Sequence, residues 1–162
     1  MTRWTHGLAL LALLAASLAP SATLAADELN VSTGATLAGP GLAAHGFDVV
    51  AYFTAGRPQL GNDQFATAYQ GGTYRFASQA NLDAFKASPG KYAPAYGGFC
   101  AFGAALGKKL DGDPHFWRIV GGRLLFNLNA DVQRKWSEDI AGNVAKADDN
   151  WRRLEHRAVS DL

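Results

Sequence analysis

The sequence predicts an α+β domain built from small antiparallel hairpins, packed short helices and a C-terminal amphipathic helix. Three observations predict it. Gly121-Gly122 separates the apolar runs 116–120 and 123–127 with the two-residue spacing of a tight hairpin. Gln70-Gly71-Gly72 separates a second pair of short runs, 65–69 and 73–77. Ile140, Val144, Ala147, Trp151, Leu154 and Ala158 then recur at steps of three and four, the stripe of a helix with one buried face. The 162 residues leave room for one domain, and 48% hydrophobic against 18% charged residues is enough to bury a core.

Taken in order, residues 1–26 stand apart from this domain. Arg3 precedes an apolar run at 8–18, Pro20 breaks it, and Thr23-Leu24-Ala25 places small residues where a signal peptidase needs them. The pattern predicts a secretory signal peptide cut near Ala25 or Ala26, and a periplasmic or secreted protein. The run is too short for a stable membrane span, which takes about 20 residues. Residues 27–44, rich in Gly, Ala, Ser and Thr, form a flexible lead-in. A single domain follows over 45–160.

Within it, Val49-Val50-Ala51-Tyr52-Phe53 is a short apolar run that fits a buried turn of helix or a strand. Asp48 is placed to cap the turn, with ligation or acid–base work as its other reading. After the first hairpin, Ser78 caps a short helix whose apolar face carries Leu82 and Phe85, and Pro89-Gly90 stops it. Residues 92–102 pack aromatics and glycines too irregularly for a long element and read as a buried loop. Residues 111–114, Asp-Gly-Asp-Pro, read as a surface turn. After the second hairpin, Asn129 caps a helix carrying Val132 and Trp136, and Asp148–Arg152 and Asp149–Arg153 are spaced for ion pairs along its continuation.

Charge excludes some functions. The chain has 15 basic and 14 acidic residues, and loss of Arg3 with the signal peptide leaves them equal. A nucleic-acid partner relying on phosphate neutralisation would need a basic excess. Gly103 to Lys109 falls one residue short of a P-loop and lacks its hydroxyl, and Asp111-Gly112-Asp113 lacks the other ligands of a calcium loop.

Chemistry centres on Cys100, the only cysteine. It cannot form an internal disulfide or a CxxC site. In Gly97-Gly98-Phe99-Cys100-Ala101-Phe102-Gly103 the glycines allow close approach and the aromatics exclude water. A thiolate there suits a soft ion such as Cu(I), zinc or mercury. The other readings are a small buried hydrophobe and a nucleophile. Of His45, His115 and His156, the last two read as exposed, and His45 is the better partner for Cys100. Tyr52, Tyr74, Tyr92 and Tyr96 read as core residues with satisfied hydroxyls.

At Gly46-Phe47-Asp48-Val49-Val50-Ala51-Tyr52-Phe53, through residues 69–78, 81–86 and 89–92, the chain resembles exported members of the YHS-domain family. Residues 96–103, Leu106-Gly107-Lys108-Lys109 and Asn127-Leu128-Asn129 look like the extension of its periplasmic subgroup. The resemblance implies a small α+β module associated with heavy-metal handling. Metal-type members carry Phe-Cys-Ser-x-x-Cys after the second strand. Here Phe76-Ala77-Ser78-Gln79-Ala80-Asn81 stands there, with Ala77 and Asn81 in place of the cysteines, and His45-Gly46-Phe47-Asp48 replaces the early cysteine.

The expectation is therefore an exported YHS-like binding module that handles a soft metal ion such as copper through Cys100, with His45 as second ligand. Its partners would be a metal ion or a periplasmic protein. Two alternatives stay open. One is a non-metal structural or protein-interaction domain with Cys100 buried. The other is a cysteine-dependent enzyme whose base the sequence does not identify.

Overall fold

A computed structural model describes Met1, residues 28–32 and residues 41–162. The apolar run at 8–18 and the cleavage region at Ala25–Ala26 lie outside the described residues. Two pieces of the lead-in belong to the sheet, as β1 (Val31–Ser32) and β2 (Leu42–Ala43). The first hairpin follows, β3 (Asn62–Tyr69) and β4 (Gly72–Phe76). The four strands lie in the order β1-β2-β4-β3, antiparallel except where β2 runs parallel to β4. The second hairpin, β5 (Asp113–Val120) and β6 (Arg123–Asn127), forms a separate two-stranded sheet.

Both turns have the residues their geometry needs. Gln70 and Gly71, and again Gly121 and Gly122, have positive φ at both central positions, the mirror-image turn whose twist matches paired strands. The run 49–53 resolves as helix: Val50 leads into α1 (Ala51–Thr54). Ser78 caps α2 (Gln79–Ala87) by accepting from the Asn81 N–H at 3.2 Å, and Leu82 and Phe85 are its buried face. Pro89 ends that helix but also opens another, α3 (Pro89–Tyr92), since a ring with fixed φ and no N–H suits a first helical position.

Four expectations need correction. Residues 92–102 are not all loop, because Cys100 opens a short helix, α4 (Ala101–Ala105). Residues 111–114 are not a surface turn. Asp113 starts β5, Gly112 and Pro114 are buried, and the Pro114 carbonyl accepts from the Tyr52 hydroxyl at 2.9 Å. A side chain at Gly112 would strike the Gly98 carbonyl and the Phe126 Cβ. The C-terminal helix is interrupted. Asn129 caps α5 (Ala130–Trp136), a 3₁₀ turn follows, and α6 (Ile140–Leu154) starts afresh from Asp139, whose extended φ of −147° breaks the helix while its carboxylate accepts from the Gly142 N–H. Finally, Asp148 does not pair along the helix but reaches Arg123, and Arg153 donates to Asn150.

The buried side chains form two clusters. The first gathers Val49, Val50, Tyr52, Tyr74, Phe76, Leu82 and Phe85 with Leu124 and Phe126. The second gathers Tyr96, Ala101, Ala104, Trp136 and Ala147 with Leu125. β6 therefore lies between them, its alternate side chains committed to opposite cores as strand geometry requires. α4 and α6 pack closely through alanines, and the Asn150 amide donates to the Ala104 and Ala105 carbonyls that the end of α4 leaves unpaired. Among the described residues, no helix is long and apolar enough to cross a membrane.

Candidate functional site

Cys100 sits where the aromatic loop turns into α4. Its N–H donates to the Leu110 carbonyl at 2.8 Å, and it bridges to Phe126 of β6. The side chain is fully buried. Its sulfur accepts from the Gly103 N–H at 3.4 Å, so the thiol serves as the N-cap of α4. Its S–H points at Asn127 Oδ1, 3.7 Å away, which also accepts from the Phe102 N–H. Burial pushes the thiol pKa up, and hydrogen bonds from backbone N–H groups offset only part of that. The sulfur thus sits between an amide oxygen and a backbone N–H, and burial favours its protonated form.

His45 lies in a three-residue left-handed turn, Ala44 to Gly46, with φ of 48°, 51° and 79°. Such a turn costs energy for residues with a Cβ and persists only when its surroundings hold it. Here His45 Nε2 meets Asp111 Oδ1 at 2.9 Å, and Asn30 donates to the same oxygen at 2.7 Å and to the Gly98 carbonyl at 3.2 Å. His45 and Cys100 therefore grip the same dipeptide, Leu110-Asp111, and each already has its own partners. Among the described residues, no three His, Cys, Asp or Glu side chains converge as metal ligands. His115 is exposed and meets Asp113 at 2.9 Å, and His156 is exposed and meets Glu28 at 2.7 Å.

Burial would raise the Asp111 carboxyl pKa, but hydrogen bonds from Asn30 and His45 outweigh it and hold the group below its usual value. A lowered folded-state value adds stability above the ordinary carboxyl range and loses it as pH falls. Wild type should therefore be more stable than Asp111→Asn at pH 7, by under about 1 kcal/mol because solvent screens this half-exposed pair. The gap should close below about pH 4. Urea midpoints for both proteins at pH 7 and pH 3 check this.

The segments that the family resemblance aligns with metal ligands do converge, on a carboxylate. Asp48 is fully buried. Its Oδ1 accepts from the N–H groups of Val50 and Ala51 at 2.9 and 3.2 Å, which caps α1. Its Oδ2 accepts from the Ala77 N–H at 2.8 Å and the Asn81 amide at 2.6 Å. Ala77 and Asn81 are the two positions where cysteines would stand. The carboxylate thus ties the start of α1 to the β4–α2 junction through four charge-assisted hydrogen bonds.

Sequence reasoning missed a second polar centre. Tyr96, Gly97 and Gly98 form another left-handed turn, which turns the Tyr96 ring onto α6. The Tyr96 hydroxyl donates to Asp148 at 2.8 Å and accepts from Arg123 at 3.1 Å, and Arg123 meets Asp148 at 2.8 Å. Burial, then the bond to Asp148, pushes the Tyr96 pKa up to about 12. Beside this centre lies a cavity of about 190 Å³, lined by Glu28, Gln70, Tyr74, Tyr96, Trp151 and Glu155 among others. Tyr74 is fully buried, and its hydroxyl has no hydrogen-bond partner among the described residues. It is not the satisfied core tyrosine its sequence context suggests. An orphaned buried hydroxyl costs about 1–3 kcal/mol. No sequence signal marks it, because the cavity is assembled from positions between 28 and 155.

No curated protein and no solved structure matches the chain. Residues 51–96, which run from α1 to the Tyr96 turn, match the YHS domain family.

Proposed function

We propose that the protein is an exported, non-catalytic interaction domain of YHS type, in which Cys100 is a structural thiol. The observation that carries this reading is the sulfur itself, fully buried, capping α4 and directed at the Asn127 amide. A metal would have to displace both contacts and break into the close-packed wall between β6 and α4. A nucleophile would need a base within hydrogen-bond reach, and the groups bonded to the sulfur are an amide oxygen and a backbone N–H. Export rests on the sequence of residues 1–26.

Thiol chemistry tests the reading. Native protein should resist Ellman's reagent, and denatured protein should release one equivalent. Native mass spectrometry of reduced protein, titrated with Cu(I) against a competing chelator, should show no adduct beyond that of Cys100→Ser. That variant should remain folded, within about 1 kcal/mol of wild type, because serine is itself a good N-cap. A stoichiometric copper adduct lost in Cys100→Ser would overturn the proposal and make soft-metal handling the function. For export, N-terminal sequencing of protein from the periplasm or medium should begin at Ala26 or Asp27.

A further inference from the structure

We propose that the outer edge of β5 is a docking site for an extended acidic peptide segment of a partner protein, which adds to the two-stranded sheet on the side of β5 away from β6. The proposal rests on the reading of the protein as an interaction domain and names the chemistry of its partner.

The hairpin register leaves this edge open. A two-residue turn closes on a hydrogen-bonded pair, here Val120 with Arg123, and bonded and non-bonded pairs alternate from there. Arg118 with Leu125 is therefore the next bonded pair, whereas Trp117 and Ile119 turn their N–H and C=O groups away from β6. The position of Gln133 agrees, since its amide donates from α5 to the Trp117 carbonyl at 3.0 Å. No other partner meets the outward backbone groups of Trp117 and Ile119 among the described residues. Beside them runs an open groove lined by His115, Trp117, Arg118, Ile119 and Gln133. The Trp117 N–H and both Ile119 groups can thus bond a new strand without displacing Gln133. An open strand edge of this kind pairs with extended backbone.

Side chains set the chemistry of the partner. The Trp117 ring is anchored edge-on to Tyr52, with centroids 4.9 Å apart, and Ile119 is 37% exposed, so both suit apolar residues opposite them. Arg118, between them, belongs to the other face of the strand. It is exposed and has no ion-pair partner among the described residues. The neighbouring charges are paired: His115 meets Asp113, Arg123 meets Asp148, Arg134 meets Asp131 and Lys135 meets Glu138. The edge therefore presents an unbalanced cation, which favours a carboxylate opposite it. The same cation disfavours a second copy of this chain. Symmetric pairing about Arg118 would set two guanidinium groups directly opposite each other. Shifted registers run into the Gly121-Gly122 turn or the irregular stretch before Trp117.

The test is an NMR titration of the protein with acetyl-Thr-Val-Glu-Val-Thr-amide, whose valines would face Trp117 and Ile119 and whose glutamate would face Arg118. Acetyl-Thr-Val-Lys-Val-Thr-amide is the charge control. The glutamate peptide should give saturable shifts at the Trp117 and Ile119 amides, with a dissociation constant on the order of 1 mM. The lysine peptide should bind at least about threefold more weakly. Arg118→Glu, an exposed change, should reverse that preference. Ile119→Pro deletes an outward N–H and leaves the bonds to β6 in place, so the domain should stay folded while binding falls about fivefold or more. Arg118→Glu carries the test if Ile119→Pro fails to fold. Absence of saturation at about 20 mM peptide, equal binding of the two peptides, or an unchanged preference in Arg118→Glu would overturn the proposal. So would shifts of the same amides on concentrating the protein alone, the mark of a second copy at the edge. These outcomes do not depend on Cys100. Failure here with a protected thiol leaves the interaction domain standing and removes only this partner.

Discussion

Asp48→Ala is expected to cost about 4 kcal/mol or more, enough to leave much of the protein unfolded at 37 °C. The substitution removes one acceptor group and strands three donors, the N–H groups of Val50 and Ala77 and the Asn81 amide, while the Ala51 N–H keeps the backbone carbonyl of residue 48. Each buried orphan costs about 1–3 kcal/mol, partly relieved where water can enter. Asp48→Asn should cost less but still clearly destabilise. Its Nδ2 would face donors on one side while its oxygen keeps the other. Urea unfolding followed by far-UV circular dichroism checks both, with the midpoint shifted and the slope unchanged. A loss under about 1 kcal/mol for Asp48→Ala would show that the tie is dispensable.

Phe126→Ala is expected to cost about 3–5 kcal/mol and Leu125→Ala about 2–5 kcal/mol, although the two side chains point to opposite faces of one strand. Both are fully buried, Phe126 against Tyr52 at 5.7 Å in the first cluster and Leu125 in the second. Because β6 is the wall the two clusters share, a cavity on either side should loosen both. Each variant should unfold in a single transition, with near-UV signals from Trp136 in the second cluster and the tyrosines of the first lost together. Two separate transitions would mean that the cores fold independently and that β6 belongs to only one of them.

Local chemistry made much of the fold legible. The glycines at 71 and at 121–122 sit where the turns need positive φ, and Ser78, Asn129 and Asp48 cap the helices that follow them. The break between α5 and α6 was hidden because Trp136, Ile140 and Val144 keep a four-residue step straight through it. Only the backbone of Asp139 departs from the helix. The left-handed turns at 44–46 and 96–98 had no sequence signal at their non-glycine members, Ala44, His45 and Tyr96, since long-range contacts hold them. The site was less legible for the same reason. Asp148 could be matched to Arg152 by spacing, but its partner is Arg123 across a hairpin and a helix. Burial of Cys100 was among the readings its aromatic neighbours allowed. The carboxylate knot at Asp48 was visible only as a helix cap, because its other partners lie 29 and 33 residues away.

The seating of segment 28–32 also bears on the order in which the chain can fold. Asn30 bonds residues 68 and 81 positions downstream, and Glu28 bonds one 128 positions downstream. A chain emerging from its N-terminus therefore presents β1 first and completes its contacts last. Both hairpins and most helices close over short loops, at little entropic cost. During synthesis β1 can pair early with the neighbouring β2, but Glu28 and Asn30 wait for their distant partners, and the cavity that Glu28 helps to wall stays open until nearly the last turn of α6 has formed. Its amides should be the first to exchange in the finished protein and the last to gain protection on refolding.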